Sequence, residues 1–202
     1  MSRGRGGGRT SWVRFAAVFV AGSLAAAAVL TGVARGALAA SFTVAGTSFK
    51  TTADKLEGEG FVQFGGVVQG SGDAHPVAVS GFRSAVLDNF CQSVLLRSMP
   101  VVGDITLRLT SPGPGGMAAT NMIIDVAELS GDLTLVNAEI GIDAAAAGKG
   151  PDELRGPPGA YAQQADRATA VGLRQTAWST TAHTLRLKNL HLALRSGAAE
   201  CY

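Results

Sequence analysis

The feature that most constrains this chain is a two-residue alternation of apolar and polar side chains, which recurs from Phe42 towards the C-terminus. Ile105, Leu107 and Leu109, for example, alternate with threonine and arginine. Successive side chains of a β-strand point to opposite faces of a sheet, so this period is typical of strands with one buried face. It is also characteristic of antiparallel sheets. The sequence therefore predicts a mainly β domain with a largely antiparallel sheet.

A segment with a common layout recurs four times in the chain. Each copy begins at a large apolar residue, continues through a polar step, and ends after a short alternating run at another large apolar residue. The copies are residues 49–61, 82–90, 122–133 and 161–173, so they begin 33, 40 and 39 residues apart. Such spacings are typical of stacked supersecondary units. Together with 27 glycines, which favour bends and bulges, they predict a curved, glycine-rich sheet of about four degenerate units of 33–40 residues.

Two stretches leave local questions open. Residues 84–97 fit both helical i, i+4 spacing and a strand, so their type is not decided by the pattern. The last apolar run changes parity, with Leu185 and Leu187 before Lys188-Asn189 and three more leucines (Leu190, Leu192, Leu194) after it. A strand changes parity only where an extra residue is inserted, so we predict a β-bulge at Lys188-Asn189.

Residues 1–39 differ in charge from the rest of the chain. They contain five arginines and no acid, whereas the remainder carries 12 basic and 15 acidic side chains. Residues 15–34 are uncharged and, as a helix, long enough to span a bilayer core of about 30 Å. The preceding arginines favour a cytoplasmic start. We expect residues 1–39 to be a signal peptide or N-terminal membrane anchor, and residues 40–202 to be an extracytoplasmic β domain, secreted or anchored to the cell membrane.

Cleavage of this segment stays open. Ala37-Leu38-Ala39 has the A-x-A form of a cleavage site, yet the apolar run is longer than is usual in a cleaved signal. The mildly acidic remainder has no cluster of lysine or arginine, which argues against a nucleic-acid partner.

The chain has two cysteines, Cys91 and Cys201. In an exported domain two cysteines indicate one disulfide, which here would hold the C-terminus in place. The alternative, a nucleophilic cysteine, is disfavoured because Cys201 is the penultimate residue and chain ends usually fray.

Motifs for chemistry are few. The sequence contains neither the G-x-S-x-G of ordinary hydrolases nor a phosphate-binding loop. Its three histidines lack metal-ligand spacing, so we expect no metal and no cofactor. Candidates for a Ser–His–acid arrangement are Ser80 as nucleophile, His75 or His183 as base, and Asp88 or Asp166 as the orienting acid. Each of these residues has an ordinary alternative role in a strand or a loop.

Small side chains on a bent sheet predict an apolar groove. The sequence has few aromatic residues and many glycines and alanines, and a lipid site needs a mostly apolar cavity of roughly 300–1,000 Å³ with a few polar groups. The predicted wall consists of Leu107, Leu109, Leu133, Leu135, Leu185 and Leu187.

The region from Phe42 to Tyr202 resembles exported actinobacterial proteins commonly labelled cholesterol esterase. The resemblance rests on residues 49–50, 53–58, 60–63, 75–82, 91–93, 163–166, 175–178 and 200–202. It implies an exported protein associated with hydrolysis of steryl esters, but it brings no known catalytic residues.

Two functions are therefore considered. The first is an exported hydrolase of cholesteryl or other lipid esters. The second is a non-enzymatic protein of the cell envelope that binds a lipid or has a structural role, and it requires no catalytic residues.

Overall fold

The computed structural model describes residues 46–70 and 73–202, together with eight positions between residues 12 and 23. Those eight positions are helical. Most of the predicted export segment, residues 15–34, lies outside the described residues. Among the described residues, no helix has both the length and the apolar content needed to cross a bilayer.

Residues 46–70 and 73–202 form nine strands, and every pairing between these strands is antiparallel. The strands are β1 (Phe49–Gln69), β2 (Ala74–Asp88), β3 (Phe90–Met99), β4 (Gly103–Ser111), β5 (Met117–Val136), β6 (Glu139–Asp143), β7 (Tyr161–Thr181), β8 (Thr184–Leu187) and β9 (His191–Ser196). Their order in the sheet is β6-β7-β5-β2-β1-β3-β4-β9, with β8 paired to β5. The prediction of a mainly β, antiparallel domain is confirmed.

The four longest strands pair in a closed ring. β1 pairs with β2, β2 with β5, β5 with β7, and β7 again with β1. Phe61 of β1 lies opposite both Phe82 of β2 and Ala165 of β7, and Phe82 lies opposite Met122 of β5. The four similar segments lie side by side on these strands. Their similarity therefore reflects strand alternation and not the stacking of separate units.

The main apolar core lies inside this ring. Large side chains come from β1, β2 and β5, whereas β7 contributes mainly alanines. Buried members include Leu56, Phe61, Phe82, Met122, Ala165, Ala168, Ala170 and Leu173. A small residue opposite a large one lets facing side chains interdigitate, which explains the alternating alanines of β7.

A second core covers the outside of the ring. Val62 and Phe64 point outwards from β1 and pack against Ala144 and Ala147 of the long segment that follows β6. A Cβ atom on Gly156 would lie 3.0 Å from the Phe64 ring, so glycine permits the close approach of this segment. β1 thus contributes apolar side chains to both faces of the ring wall.

A line of turns, the crease, crosses the sheet and separates strands that follow one another along the chain. We define the crease as Asn89, residues 112–116 and residues 188–190, which separate β2 from β3, β4 from β5, and β8 from β9. The backbone N–H of Asn89 donates to Gly113 O at 3.1 Å. Asn89 and Asn189 have φ values of 51° and 50°, in the left-handed region that asparagine tolerates.

The structure at the crease corrects the predicted bulge at Lys188-Asn189 and shows which type of element residues 84–97 form. The parity change at Lys188-Asn189 is a turn between two strands with different partners, β5 for β8 and β4 for β9, and not a bulge within one strand. The chain turns there because Lys188 N–H donates to Gly116 O at 2.8 Å, and the Ser111 hydroxyl contacts the carbonyl oxygens of both Gly116 and Lys188. Residues 84–97 are strands on either side of Asn89.

The C-terminal tail crosses the sheet beyond β9. Cys91 and Cys201 form the predicted disulfide, with Cα atoms 6.1 Å apart. It links residues 110 positions apart, and closing so long a loop stabilises the folded state by about 4–5 kcal/mol in the chain-entropy model. The tail is also hydrogen-bonded, since Cys201 N–H donates to Ser93 Oγ at 3.0 Å.

Thr106 connects the tail to β4. Its side chain is fully buried, and its hydroxyl donates to Gly197 O at 2.6 Å and accepts from Ala199 N–H at 2.9 Å. Thr106→Val should lower the free energy of unfolding by about 1–3 kcal/mol, because both backbone groups lose a buried partner. Thr110→Val is the matched control, since Thr110 is half-buried on the same face of β4. Equal urea midpoints for the two variants would contradict this role of Thr106.

Candidate functional site

The largest candidate site is a cavity of about 480 Å³ inside the strand ring. All four ring strands contribute to its lining, and most of the lining is apolar. Its apolar side chains include Leu56, Phe61, Phe82, Ile124, Val126 and Leu173. The size lies within the range of roughly 300–1,000 Å³ that ligand sites usually have.

The opening of the cavity lies where β2 and β5 separate. The last residues paired between these strands are Ala78 and Val126. Beyond this pair, Pro76 on β2 and Leu129 and Leu133 on β5 border the cavity, and the two leucines are also exposed. The pairing of β5 with β7 shifts register three times between Asp125 and Asp132, and such irregularities bend a strand. Local bending of β5 thus accompanies the opening.

One group of polar side chains reaches the cavity from β1 and β2. Gln63 Nε2 donates to Ser80 Oγ at 2.7 Å, and Gln63 Oε1 accepts from Gln163 Nε2 at 2.6 Å. Ser80 is buried, and its hydroxyl donates to Ala78 O at 3.4 Å. Gln63 and Ser80 both line the cavity, so a bound molecule would meet an amide and a hydroxyl here.

Gln175 of β7 is the second polar feature of the cavity. The residue is only 5 % exposed, but its amide atoms keep contact with the cavity. It also borders a space of about 20 Å³ with Thr51 and Gln92, two residues that lie opposite each other in the β1–β3 pairing. Gln175 therefore presents an amide to the cavity, where it can donate a hydrogen bond to a polar atom of a ligand or accept one from it.

Charge is nearly absent from the cavity. Glu128, at the exposed edge on β5, is the one ionisable side chain among the described residues that line it. A carboxylate or phosphate inside would therefore lose its hydration without gaining a cationic partner, which is costly. The lining favours an uncharged molecule.

Sequence reasoning did not single out Gln63 or Gln175. The signal was present, because Gln63 shares the parity of Phe61, and Gln175 shares that of Leu173 and Ala177, all on apolar positions. A polar residue on the buried parity of a strand is a stronger indication of a site than a leucine there.

The six predicted groove leucines do not form one wall. Leu133 alone of the six lines the cavity. Leu109, Leu135 and Leu187 are partly buried against the main core. Leu107 pairs with Leu194 on β9, and Leu185 is exposed on β8. The parity of a residue indicates which face of its own strand it lies on, but not which strands lie beside it. The prediction therefore grouped leucines that lie on opposite sides of the crease.

The catalytic candidates lie in separate surroundings. Ser80 lines the cavity, but its hydrogen bonds go to Gln63 and Ala78. His75 stacks on Trp178, with ring centroids 3.8 Å apart. His183 is exposed between β7 and β8, where its backbone N–H donates to Thr120 O at 2.9 Å.

The two candidate acids also have other partners. Asp88 Oδ1 accepts from Gly115 N–H at 2.6 Å in the crease. Asp166 Oδ2 accepts from Asn137 Nδ2 at 2.6 Å on the outside of the ring. Within residues 46–70 and 73–202, no hydrogen bond joins any two of the five catalytic candidates. In the same part of the chain, no group of three or more His, Cys, Asp or Glu side chains is arranged to hold a metal ion.

Asp166 belongs to a charged cluster that holds the segment after β6. Lys149 Nζ lies 2.9 Å from Glu139 Oε1 and 3.0 Å from Asp166 Oδ1. Hydrogen bonds from Lys149 and then Gln164 lower the pKa of Glu139, and those from Asn137 and then Lys149 lower the pKa of Asp166. Hydrogen bonding to Glu139 and then to Asp166 raises the pKa of Lys149.

Comparison with known proteins gives a family but no activity. Residues 45–202 match a family described as "Family of unknown function (DUF6230)". The chain belongs to this family. No curated protein and no solved structure matches it. The DUF6230 match begins just before β1 and extends to Tyr202, so it includes the strand ring, the cavity and the disulfide.

The charged cluster predicts a local acid transition. The carboxylates of Glu139 and Asp166 have lowered pKa values, so their contribution is present above the ordinary carboxyl range of about 4 and is lost as pH falls through their folded-state values. We expect the amide NMR signals of Gly148 and Lys149, which donate to Gln164 Oε1, to shift in that acid range. The raised pKa of Lys149 keeps its own contribution until alkaline pH.

Lys149→Met is the control for this titration. Without the ammonium, the carboxylates lose a partner, so the acid transition at Gly148 should move to higher pH and become smaller. An unchanged titration in the variant would show that Lys149 does not hold this segment.

Proposed function

We propose that the protein is an exported, non-enzymatic binding protein for an uncharged lipid, which occupies the cavity of the strand ring. The observation that carries the proposal is the cavity itself, because its lining is apolar on all four strands and its buried polar groups are amides and a hydroxyl. Neutral lipids such as sterols, long-chain alcohols and their esters combine a large apolar body with one hydroxyl or carbonyl group.

The geometry of the polar groups supports one orientation of such a ligand. Leu129 and Leu133 border the opening and are exposed, whereas Gln175 is buried. A lipid would therefore enter by its polar end, or reorient, until that end reaches Gln175. Its apolar body would contact Leu133 and remove that leucine from water, which is favourable by about 25 cal/mol per Å² of apolar surface.

Export is part of the proposal. The Cys91–Cys201 disulfide supports an oxidising compartment, and the basic, acid-free residues 1–39 with their uncharged run at 15–34 support a signal peptide or membrane anchor. A retained anchor would keep the domain beside the membrane, and a cleaved signal would release it.

Hydrolysis of a steryl ester, which the resemblance implies, has less support from the geometry. Ser80 is in the cavity, but among the described residues its hydroxyl has no basic hydrogen-bond partner. Serine is a weak nucleophile unless an adjacent base takes its proton. Binding of a neutral lipid needs no such group, so binding is the function that the described residues support best.

Ligand binding is tested at the opening with a matched pair of variants. Leu133 lines the cavity and is 47 % exposed, whereas Val136 on the same strand is 44 % exposed and does not line it. Leu133→Asp should weaken the binding of Nile red by at least about tenfold, because the charge loses hydration when the ligand covers it. The displacement of Nile red by cholesterol or oleyl alcohol should weaken by at least the same factor. Val136→Asp should leave affinity unchanged.

Thermal unfolding of both variants shows whether the fold survives. Equal affinities in the two folded variants, or failure of Nile red to bind the unaltered protein, would contradict the proposed site. Displacement by oleate as strong as that by oleyl alcohol would contradict the preference for an uncharged ligand.

A further inference from the structure

Strands β3, β4 and β9 extend the sheet away from the ring. One face of this extension, residues 90–111 and 191–196, is apolar. Leu107 lies opposite both Val94 and Leu194, and Leu109 lies opposite Leu192. Leu194 is 67 % exposed, so this face is only partly covered by the rest of the described domain.

The hairpin between β3 and β4 ends in an apolar tip. Met99, Val101 and Val102 are exposed there, and Val101 is fully so. Val101 has a φ of 74°, in a region that β-branched residues rarely adopt and that turns usually fill with glycine or asparagine. Neither burial nor a favourable backbone conformation stabilises this valine. Backbone strain of this kind is often found where a residue has a function.

The charges of the extension differ from those of the remaining domain. It carries Arg97, Arg108 and Arg195 against one acid, Asp104. None of the three arginines forms an ion pair with a described acidic side chain. From residue 40 onwards the rest of the chain has nine basic and fourteen acidic side chains. The extension is therefore a locally basic part of an acidic domain and is complementary to an anionic surface.

The chain also reaches the domain beside β3 of the extension. Gly46 and Ser48, which precede β1, line the same surface depression as Arg97. The uncharged segment 15–34 ends twelve residues before Gly46, a distance of at most about 40 Å in a fully extended chain. If the proposed anchor is in a bilayer, the chain length therefore keeps Gly46 within about 40 Å of that bilayer.

We propose that the β3–β4–β9 extension binds the surface of a bilayer that contains anionic lipids. The side chains of Met99, Val101 and Val102 enter the boundary between head groups and acyl chains, and Arg97 and Arg195 bind lipid phosphates beside them. Apolar burial combined with basic contacts is how peripheral segments bind membranes. A hairpin tip is convex, which suits insertion into lipid better than docking of a protein groove.

The full chain in phospholipid vesicles provides the test. Both native cysteines are in the disulfide, so a nitroxide label on Val101→Cys reports one site. Val67→Cys is the matched control, because Val67 is 62 % exposed and lies on β1 outside the extension. With phosphatidylglycerol vesicles, the ratio of oxygen to nickel-chelate collision rates should be at least about threefold higher at position 101 than at position 67, as expected for a side chain in the lipid interface.

Two further arms separate the contributions to binding. Arg97→Gln combined with Arg195→Gln, or replacement of phosphatidylglycerol by phosphatidylcholine, should lower the ratio at position 101 towards that at position 67. Equal ratios at both positions in phosphatidylglycerol vesicles would overturn the proposal. A label at position 101 that is immobile and inaccessible to both reagents would also overturn it, because a second copy of the chain would then cover the hairpin. Neither result involves the cavity, so the proposed lipid site is tested separately.

Discussion

The pairing of β1 with β7 is the interaction on which the rest of the structure depends. Their paired residues are 98 to 128 positions apart in the chain, from Phe64–Ala162 to Phe49–Ala177. Without that ladder the four long strands would be an open sheet with unpaired edges, which invite aggregation. With it, they enclose an interior. Both the main core and the 480 Å³ cavity lie in that interior, so the same pairing accounts for stability and for the candidate site.

The side chains of β7 determine how much of the interior is filled. Ala165, Ala168 and Ala170 are buried where larger residues on the same strand would fill the space. Protein interiors otherwise pack about as densely as organic crystals, so an apolar space of this size represents lost packing energy. A ligand would restore those contacts. The crease ends the pairing of β2 with β1 and with β5, and β3, β4 and β9 continue beyond it as a separate surface.

The strand content and the disulfide could be predicted from the sequence, because both depend on local or compositional signals. Period-two alternation indicated antiparallel strands, and two cysteines in a chain with an apolar, basic N-terminus indicated one bridge. Ring closure was beyond the same reasoning, since alternation says which side chains share a face and not which strand is the neighbour. The predicted bulge at Lys188-Asn189 shows the limit, because a parity change can be a bulge or a turn.

The sequence predicted that the site is apolar but not which residues line it. An apolar space was expected from small residues, but the predicted leucines are divided among the cavity, the main core and the extension. The Ser–His–acid candidates were chosen by residue type, and the fold separates them because their positions fall on different faces and in different turns. Gln175 could have been found, since it interrupts the apolar parity of Leu173 and Ala177.

The central claim, that an uncharged lipid lies in the ring with its polar atom against Gln175, is tested most directly by a two-by-two comparison. The affinities of a long-chain alcohol and the alkane of equal carbon count are measured for the unaltered protein and for Gln175→Leu. One buried hydrogen bond is worth about 1 kcal/mol or somewhat more, so the unaltered protein should prefer the alcohol by about tenfold. The variant should lose this preference, because a hydroxyl buried against a leucine side chain has no hydrogen-bond partner. A preference for the alcohol that persists in Gln175→Leu, or no preference in the unaltered protein, would contradict the account.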